Sequence, residues 1–200
     1  MGVQDKTGAL ARIQGRSLDL GCGPTKVDAG HVGVDAIDYP GVDIVGDIFD
    51  VLGLIPDGAL GGVHSSHFLE HVDDLDRLLD ELERTLAPAA SMEIIVPHFS
   101  NPYYYSDPTH RRSFGLYTFS YMARDDIHRR RVPDYCRTSA FELRSVSLRF
   151  KSPPPFYGRY LFKRAVGFLV NLTSWSREFY EENLCYLIPC YEVRYELRRM

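Results

Sequence analysis

Short apolar runs separated by turns dominate the first half of the chain. Runs of strand length cover residues 18–20, 31–35, 42–47, 62–67 and 91–97. Before the last of these runs, a helical pattern enters through residues 68–72 and continues with leucines at three- and four-residue spacing, namely Leu75, Leu78, Leu79, Leu82 and Leu86. Strands that alternate with turns or helices are typical of a parallel sheet covered on its faces, which predicts an α/β fold.

The carboxyl-terminal part of the chain has a different pattern. Residues 141–150 and 190–198 alternate apolar with polar or charged side chains, which is the period of a half-exposed strand. Between them, three consecutive prolines interrupt the chain, and two apolar helical segments follow. We therefore predict a helical insert over residues 151–189, before the last strand. At the other end, residues 1–15 predict a loose lead-in or a brief helix.

A long irregular segment follows the fifth predicted strand. Residues 98–131 lack periodicity and contain three consecutive tyrosines, Tyr103 to Tyr105, followed by Asp-Pro-Thr-His at 107–110. Irregular segments of this length directly after a core strand are more often functional than accidental. We expect residues 98–131 to form a substrate pocket or its lid. We interpret the basic run at 129–131 as a solvent-exposed face rather than as a clamp that binds an anionic substrate.

Composition limits the classes of partner and compartment. The 200 residues predict one domain, 1–200, and 23 Lys+Arg against 27 Asp+Glu argue against a nucleic-acid surface driven by bulk charge. No apolar run is typical of a signal peptide or reaches the ~20 residues of a membrane span, so we expect a cytoplasmic protein without a transmembrane segment. The four cysteines, Cys22, Cys136, Cys185 and Cys190, form no C-x-x-C pair and predict reduced thiols.

The turn after the first strand is the strongest chemical signal in the sequence. Leu18-Asp19-Leu20 runs into Gly21-Cys22-Gly23, where the backbone can approach a ligand closely. The two glycines are followed by Pro-Thr-Lys instead of x-x-G, so the fingerprint that holds a dinucleotide pyrophosphate is incomplete.

The motif Leu-Asp-Leu-Gly-Cys-Gly resembles the first signature of class I S-adenosylmethionine (SAM) dependent methyltransferases, and more closely that of their type 11 small-molecule branch. This resemblance implies a Rossmann-like methyltransferase sheet, mostly parallel, with a C-terminal antiparallel strand pair. It also implies SAM as the cofactor, with Gly21, Cys22 and Gly23 under its amino-acid part and Asp19 holding its ammonium group directly or through water.

Further SAM contacts follow from strand ends and from the same resemblance. Asp35 ends the second strand, where a Rossmann-like fold places the acid that accepts the ribose hydroxyls. The resemblance puts Asp47 and Ile48 beside the adenine, and Ser66 and His67 where the SAM methyl group meets its acceptor. The alternative for Asp47 is a helix N-cap.

Four side chains near the strand ends and the long segment are candidates for a catalytic base: His98, His110, His67 and Asp107. Many methyltransferases work by positioning alone, so none is singled out. His67 and His71 are four residues apart and are candidate metal ligands on one helical face. The H-E-x-x-H pattern is missing, so no metal site is predicted. The alternative interpretation is that both histidines cap the helix start or satisfy its backbone groups.

The sequence therefore predicts a SAM-dependent methyltransferase that acts on an oxygen or nitrogen nucleophile of a small molecule. The pattern Pro-His-Phe-Ser and Asp-Pro-Thr-His-x-Arg resembles small bacterial type 11 proteins, some encoded among natural-product or cell-surface sugar genes, and implies such an acceptor. The alternatives are an NAD-dependent oxidoreductase that shares Asp35 as its ribose ligand, and a SAM-binding protein without turnover. For the insert, packing over the 98–131 segment or in a homodimer interface is favoured over a membrane-surface helix.

Overall fold

The protein is built on one mixed β-sheet. The computed structural model describes residues 2–133 and 140–200. In these ranges the strands are β1 (Gln4–Asp5), β2 (Ser17–Leu20), β3 (Val32–Asp35), β4 (Ile44–Val45), β5 (Leu60–Ser66), β6 (Leu86–Pro97), β7 (Arg124–Asp125), β8 (Phe141–Arg149) and β9 (Glu192–Arg199). Their spatial order is β1-β4-β3-β2-β5-β6-β9-β8-β7.

The centre of the sheet is parallel, and antiparallel pairs adjoin it on both sides. Strands β4, β3, β2, β5 and β6 run parallel, whereas β9 pairs antiparallel with both β6 and β8. Leu18 and Leu20 of β2 and Val32 and Val34 of β3 are buried in this centre, as expected for parallel strands that are covered on both faces. The predicted fold class, with its C-terminal antiparallel pair, is confirmed.

Four α-helices accompany the sheet in the described ranges: α1 (Ile48–Gly53), α2 (Leu75–Thr85), α3 (Tyr160–Val170) and α4 (Ser174–Asn183). Helix α2 buries four of its leucines against the sheet, namely Leu75, Leu78, Leu79 and Leu82. Helices α3 and α4 form the insert between β8 and β9. None of the described helices is long and apolar enough to cross a membrane.

The start of α2 differs from the prediction. The Asp74 side chain accepts a hydrogen bond from the Arg77 N–H and caps the helix, which begins at Leu75. Residues Leu69–His71 form one separate 3-10 turn. The predicted helical entry through 68–72 is therefore wrong, so His67 and His71 do not share a helical face and do not satisfy the start of α2.

Two short strands were not predicted from the sequence. The lead-in contains β1, which pairs antiparallel with β4, and the 98–131 segment contains β7, which pairs parallel with β8. Two-residue strands are too short to show a period, so the pattern could not have revealed them. Cys22, Cys185 and Cys190 are free thiols, as predicted, and Cys136 lies outside the described residues.

Candidate active site

Three adjoining depressions lie along the carboxyl-terminal edge of the parallel strands, where open α/β sheets bind ligands. The glycine-turn cleft, about 220 Å³, is lined by Asp19, Gly21, Cys22, Thr25, Val27, His64 and Ser66. The apolar cleft, about 190 Å³, is lined by Gly21, Val34, Asp35, Ala36, Gly46, Asp47, Ile48, Phe49, Phe68, His71, Val72 and Asp73. The loop pocket, about 210 Å³, is lined by His67, Glu70, His71, Pro97, Asn101, Tyr103, Tyr104, Asp107 and His110.

The glycine turn has a conformation that other residues adopt at a cost. Gly21 and Gly23 have φ angles of 63° and 58° in the left-handed region. A Cβ atom on Gly21 would lie 2.6 Å from the Phe68 ring, which covers the turn from the other side. The backbone and Phe68 therefore pack against each other with no room for a side chain at Gly21.

Asp19 lies at the floor of the glycine-turn cleft and is almost completely buried. Its Oδ1 is 2.7 Å from His64 Nδ1, and its Oδ2 accepts a hydrogen bond of 2.8 Å from the Val27 N–H. A carboxylate has about four lone-pair positions, so both oxygens can accept further donors. Cys22 and Ser66 line the same cleft. Burial and the negative charge of Asp19 raise the pKa of the Cys22 thiol to about 12, so it is neutral.

Two predicted acids meet in the apolar cleft. Asp35 accepts hydrogen bonds from the Gly23 N–H at 2.9 Å and the Ile37 N–H at 2.8 Å, which fix its carboxylate beside the glycine turn. Asp47 caps α1 by accepting from the Phe49 N–H at 2.9 Å, which confirms the N-cap interpretation. Ile48 lines the same cleft.

An ion pair between Lys26 and Asp43 holds the segment that follows the glycine turn. Asp43 accepts hydrogen bonds of 2.7 Å from Lys26 Nζ and 2.9 Å from the Gly33 N–H. Burial acts to raise the pKa of the Asp43 carboxyl, but these two donors outweigh it and hold the pKa below its usual value. The ion pair therefore ties the segment after the glycine turn to β3 and to the residue before β4.

His67 stands at the entrance of the loop pocket, directly after β5. Its backbone has a φ of 55°, unusual for a residue with a side chain. Its Nε2 donates to Glu192 Oε1 at 2.8 Å, and its Nδ1 lies 3.5 Å from Glu70 Oε1. The hydrogen bond with Glu192, reinforced by Glu70, raises the pKa of His67 to about 9, so the ring is cationic at neutral pH.

The remaining wall of the loop pocket comes from the 98–131 segment. His110 Nδ1 donates to the Tyr104 carbonyl at 2.8 Å, and the two rings stack with centroids 4.8 Å apart. Asp107 Oδ1 accepts from the Thr109 hydroxyl at 2.6 Å, and that hydroxyl lies 2.9 Å from His71 Nδ1. The structure thus brings together three of the four predicted catalytic residues: His67, Asp107 and His110.

His98 lies apart from these three. Its side chain is fully buried and is not part of the loop-pocket wall. Its Nδ1 accepts from the Ser100 N–H at 3.1 Å, and its Nε2 donates to Glu181 Oε2 of α4 at 3.1 Å. Although His98 follows β6 at once, its ring is directed towards the insert, because the first residue beyond a strand end can face either side of the sheet.

Helix α4 holds the 98–131 segment through two carboxylates. Besides His98, Glu181 accepts a hydrogen bond of 2.6 Å from the Leu116 N–H. Glu178 accepts from the N–H groups of Arg129 and Arg130 at 2.7 and 3.2 Å. The side chains of the basic run at 129–131 are exposed, in agreement with a solvated face.

Sequence reasoning assigned no site role to three residues: Phe68, Glu70 and Glu192. Phe68 and Glu70 lie within the segment that was interpreted as a helix entrance. The signal that could have found them is the Asp-Asp pair at 73–74, a typical N-cap before a periodic run. Glu192 gives no local signal, since it reads as one more polar residue of an alternating strand.

The comparisons with known proteins identify the class of enzyme. A family model described as a methyltransferase domain matches residues 5–135, more than half of the 200-residue chain. The chain therefore belongs to the class I SAM-dependent methyltransferases, enzymes whose methyl donor is SAM. This assignment favours methyl transfer over the NAD-dependent alternative and over binding without turnover. No curated protein matches the chain in sequence.

Solved structures of methyltransferases share the fold. A SAM-dependent methyltransferase from Archaeoglobus fulgidus superimposes with a TM-score of 0.54 at 19% identity, over 96% of this chain and 93% of that one. A chain from the complex of the Haloferax volcanii Trm112 methyltransferase activator with a methyltransferase gives 0.53 at 14% identity, over 98% and 88%. At such low identity these likenesses show the fold alone.

Proposed function

We propose that this enzyme transfers the methyl group of SAM to an oxygen or nitrogen nucleophile of a small molecule bound in the loop pocket. The observation that carries the proposal is the continuity of the three depressions. The glycine-turn cleft and the apolar cleft share Gly21, and the apolar cleft and the loop pocket share His71. A donor in the two clefts and an acceptor in the pocket would therefore be in contact.

In this proposal the two clefts hold SAM in an extended form. The apolar walls formed by Val34, Phe49 and Phe68 suit a flat adenine ring, with Asp47 and Ile48 beside it. Asp35 accepts the ribose hydroxyls with the lone pairs that its two backbone donors leave free. The methionine part lies on Gly21, Cys22 and Gly23, with Asp19 and Ser66 facing its polar end and His67 marking the methyl end.

The loop pocket supports a small, polar acceptor. Its volume of about 210 Å³ is below the range of about 300–1,000 Å³ typical of drug-sized ligands. Its wall offers imidazoles, carboxylates and tyrosines, which suit hydroxyl or amino groups. An intermediate of a natural product or of a cell-surface sugar is such a molecule, and the formal net charge of −4 argues against a nucleic-acid acceptor.

Catalysis requires alignment more than covalent chemistry. The sulfonium of SAM is a good leaving group, so the protein must hold the nucleophile in line at ~3–3.5 Å from the methyl carbon and exclude water. His67, Asp107 and His110 contact the acceptor in this proposal. His110 Nδ1 donates to the Tyr104 carbonyl, so Nε2, which lies 3.7 Å from Asp107 Oδ2, is the atom that would accept the nucleophile's proton.

We propose a supporting role for His98. Its two ring nitrogens hold Ser100 and Glu181, so it fixes the 98–131 segment against α4 and does not touch the acceptor. This differs from its prediction as a catalytic base. Comparing the activities of His98→Ala and His110→Ala therefore tests which side of the 98–131 segment contacts the acceptor.

Titration calorimetry with SAM and with NAD⁺ tests the cofactor assignment, and S-adenosylhomocysteine release tests turnover. We expect SAM to bind and NAD⁺ not to bind. A panel of hydroxylated and aminated sugars and phenols, incubated with SAM, should include compounds that increase S-adenosylhomocysteine release in the wild type but not in His110→Ala. Tighter binding of NAD⁺ than of SAM, or equal release by wild type and His110→Ala, would contradict the proposal.

A further inference from the structure

We propose that Glu70, His71 and His110 form a binding site for one divalent transition-metal ion, with Zn²⁺ as the best match, on the wall of the loop pocket. No metal site is predicted from the sequence, because the pair His67 and His71 lacks the H-E-x-x-H pattern. The fold instead brings the consecutive residues Glu70 and His71 close to His110, which lies 39 residues after His71 in the chain.

The three donor atoms are close enough to share an ion after a small adjustment. One ligand atom from each residue lies within 4.8 Å of the others, and the rings of His71 and His110 have centroids 4.9 Å apart. Bonds of about 2.1 Å to one cation place donors about 3 to 3.4 Å apart. His71 ends a single 3-10 turn and His110 lies in an irregular segment, so side-chain rotation can close the gap.

Glu70 is the observation that points to a ligand. Its side chain is fully buried, and neither carboxylate oxygen has a hydrogen-bond partner. The nearest cationic group is His67 Nδ1, at 3.5 Å from Oε1. Buried carboxylates are stable when they are hydrogen-bonded, paired or bound to a metal. His67 is an ion-pair neighbour of Oε1 only, so a cation between Glu70 and the two imidazoles would supply the partner that Oε2 lacks.

The hydrogen bonds of both histidines leave Nε2 free to bind. The single proton of the Thr109 hydroxyl goes to the Asp107 carboxylate, so the hydroxyl must accept from His71 Nδ1–H. The Tyr104 carbonyl can only accept, so His110 Nδ1 also carries its proton. Nε2 of each imidazole therefore carries the lone pair, and Nε2 of His110 lies 3.7 Å from Asp107 Oδ2. The donor bond from Nδ1 orients each ring, which is how metal-binding histidines are commonly held.

The donor set selects the class of metal. Two imidazole nitrogens and one carboxylate oxygen suit Zn²⁺ and its first-row neighbours, whereas Mg²⁺ prefers oxygen ligands alone. Glu70, His71 and His110 all line the loop pocket, so coordination positions that they leave open would be reached from it. If the proposed function holds, an acceptor hydroxyl or amine would occupy one of them, but the metal site does not depend on methyl transfer.

Equilibrium dialysis of the untagged, chelator-treated protein against ZnCl₂, followed by metal analysis, tests the site. We expect one Zn²⁺ per chain and much weaker binding of Mg²⁺. Glu70→Gln, His71→Ala and His110→Ala should each weaken Zn²⁺ binding at least tenfold. The matched control is His31→Ala, because His31 pairs with Asp28 outside the pocket, and its Zn²⁺ affinity should equal that of the wild type.

Thermal unfolding of the metal-free protein provides a readout independent of activity. Zn²⁺ should raise the Tm of the wild type and leave the Tm of Glu70→Gln unchanged, whatever the Tm of the metal-free variant, because Glu70 also pairs with His67. The proposal is overturned if the wild type binds no Zn²⁺, or if Glu70→Gln binds it equally well. SAM titration of the same samples separates failure of the metal site from failure of the cofactor assignment.

Discussion

The cofactor clefts and the loop pocket lie side by side but are built differently. In the clefts, Asp19, Asp35 and Asp47 each accept a backbone N–H, so the site is satisfied before any ligand arrives. In the loop pocket, neither oxygen of the buried Glu70 carboxylate has a hydrogen-bond partner, and its only close cationic neighbour among the described residues is His67, 3.5 Å away. The polar groups of the cofactor clefts are therefore already hydrogen-bonded without a ligand, whereas the loop pocket contains a buried carboxylate that a ligand can still pair with.

The largest expected effect is on the glycine turn. Gly21→Val should abolish SAM binding, because the new side chain collides with Phe68 and the residue has a positive φ. Titration calorimetry checks this. Gly58→Val is the matched control, since Gly58 has a similar φ of 65° but an open surround away from the clefts. It should lower the Tm and keep SAM affinity. Normal SAM binding by a folded Gly21→Val protein would remove the turn from the binding site.

Next in size is the contrast between two histidines of one segment. His110→Ala should reduce turnover by about 100- to 10,000-fold with SAM affinity unchanged. His98→Ala should instead destabilise the fold by about 1–3 kcal/mol, because Glu181 loses a buried donor. Single-turnover rates and thermal unfolding of both variants separate these outcomes. Equal turnover losses in both variants would return His98 to the catalytic group.

Within the clefts, two acids should differ in the quantity that they control. Asp35→Ala should weaken SAM binding about tenfold to more than a hundredfold, the loss of one charge-assisted hydrogen bond of roughly 1.5–3 kcal/mol. Asp47→Ala should cost about 1 kcal/mol of stability through the lost cap of α1, with a smaller change in SAM affinity. Calorimetry and denaturant unfolding measure the two quantities. A larger affinity loss for Asp47→Ala would reverse the assigned roles.

The smallest expected effect concerns acid stability of the cleft region. The pKa of Asp43 is lower in the folded protein than in the unfolded chain. Its contribution to stability is therefore full above the unfolded pKa of about 4, and it is lost as the pH falls from there through the lower pKa of the folded state. The ion pair with Lys26 is worth about 1 kcal/mol or less. Asp43→Asn should flatten the dependence of Tm on pH below about 5. An unchanged pH profile would show that the pair adds nothing to stability.

Local patterns explain why the clefts were predictable from sequence. Residues Asp19, Gly21 and Asp35 come directly at the ends of adjacent parallel strands, and such ends converge at one edge of the sheet. Their neighbourhood therefore follows once the strands are recognised. The leucine spacing likewise predicted α2, but its first residue depended on the Asp74 cap, which periodicity does not show.

The loop pocket could not be predicted in the same way. His67 binds Glu192, which is 125 residues away, and His110 meets His71 only because an irregular segment folds back over the sheet. No periodic pattern specifies such a path. The direction of His98 was equally open, because alternation ends with the strand.

Glu178 and Glu181 of α4 restrict how parts of this enzyme can be exchanged with a related one. Because Glu178 and Glu181 satisfy backbone and imidazole donors of the 98–131 segment, the insert and this segment make one exchangeable unit, although 42 residues separate residue 131 from the start of α4. A chimera that takes only the insert from a relative without a carboxylate at position 181 would leave His98 and the Leu116 N–H without their acceptor. A change of substrate by recombination would therefore require both pieces to come from the same parent.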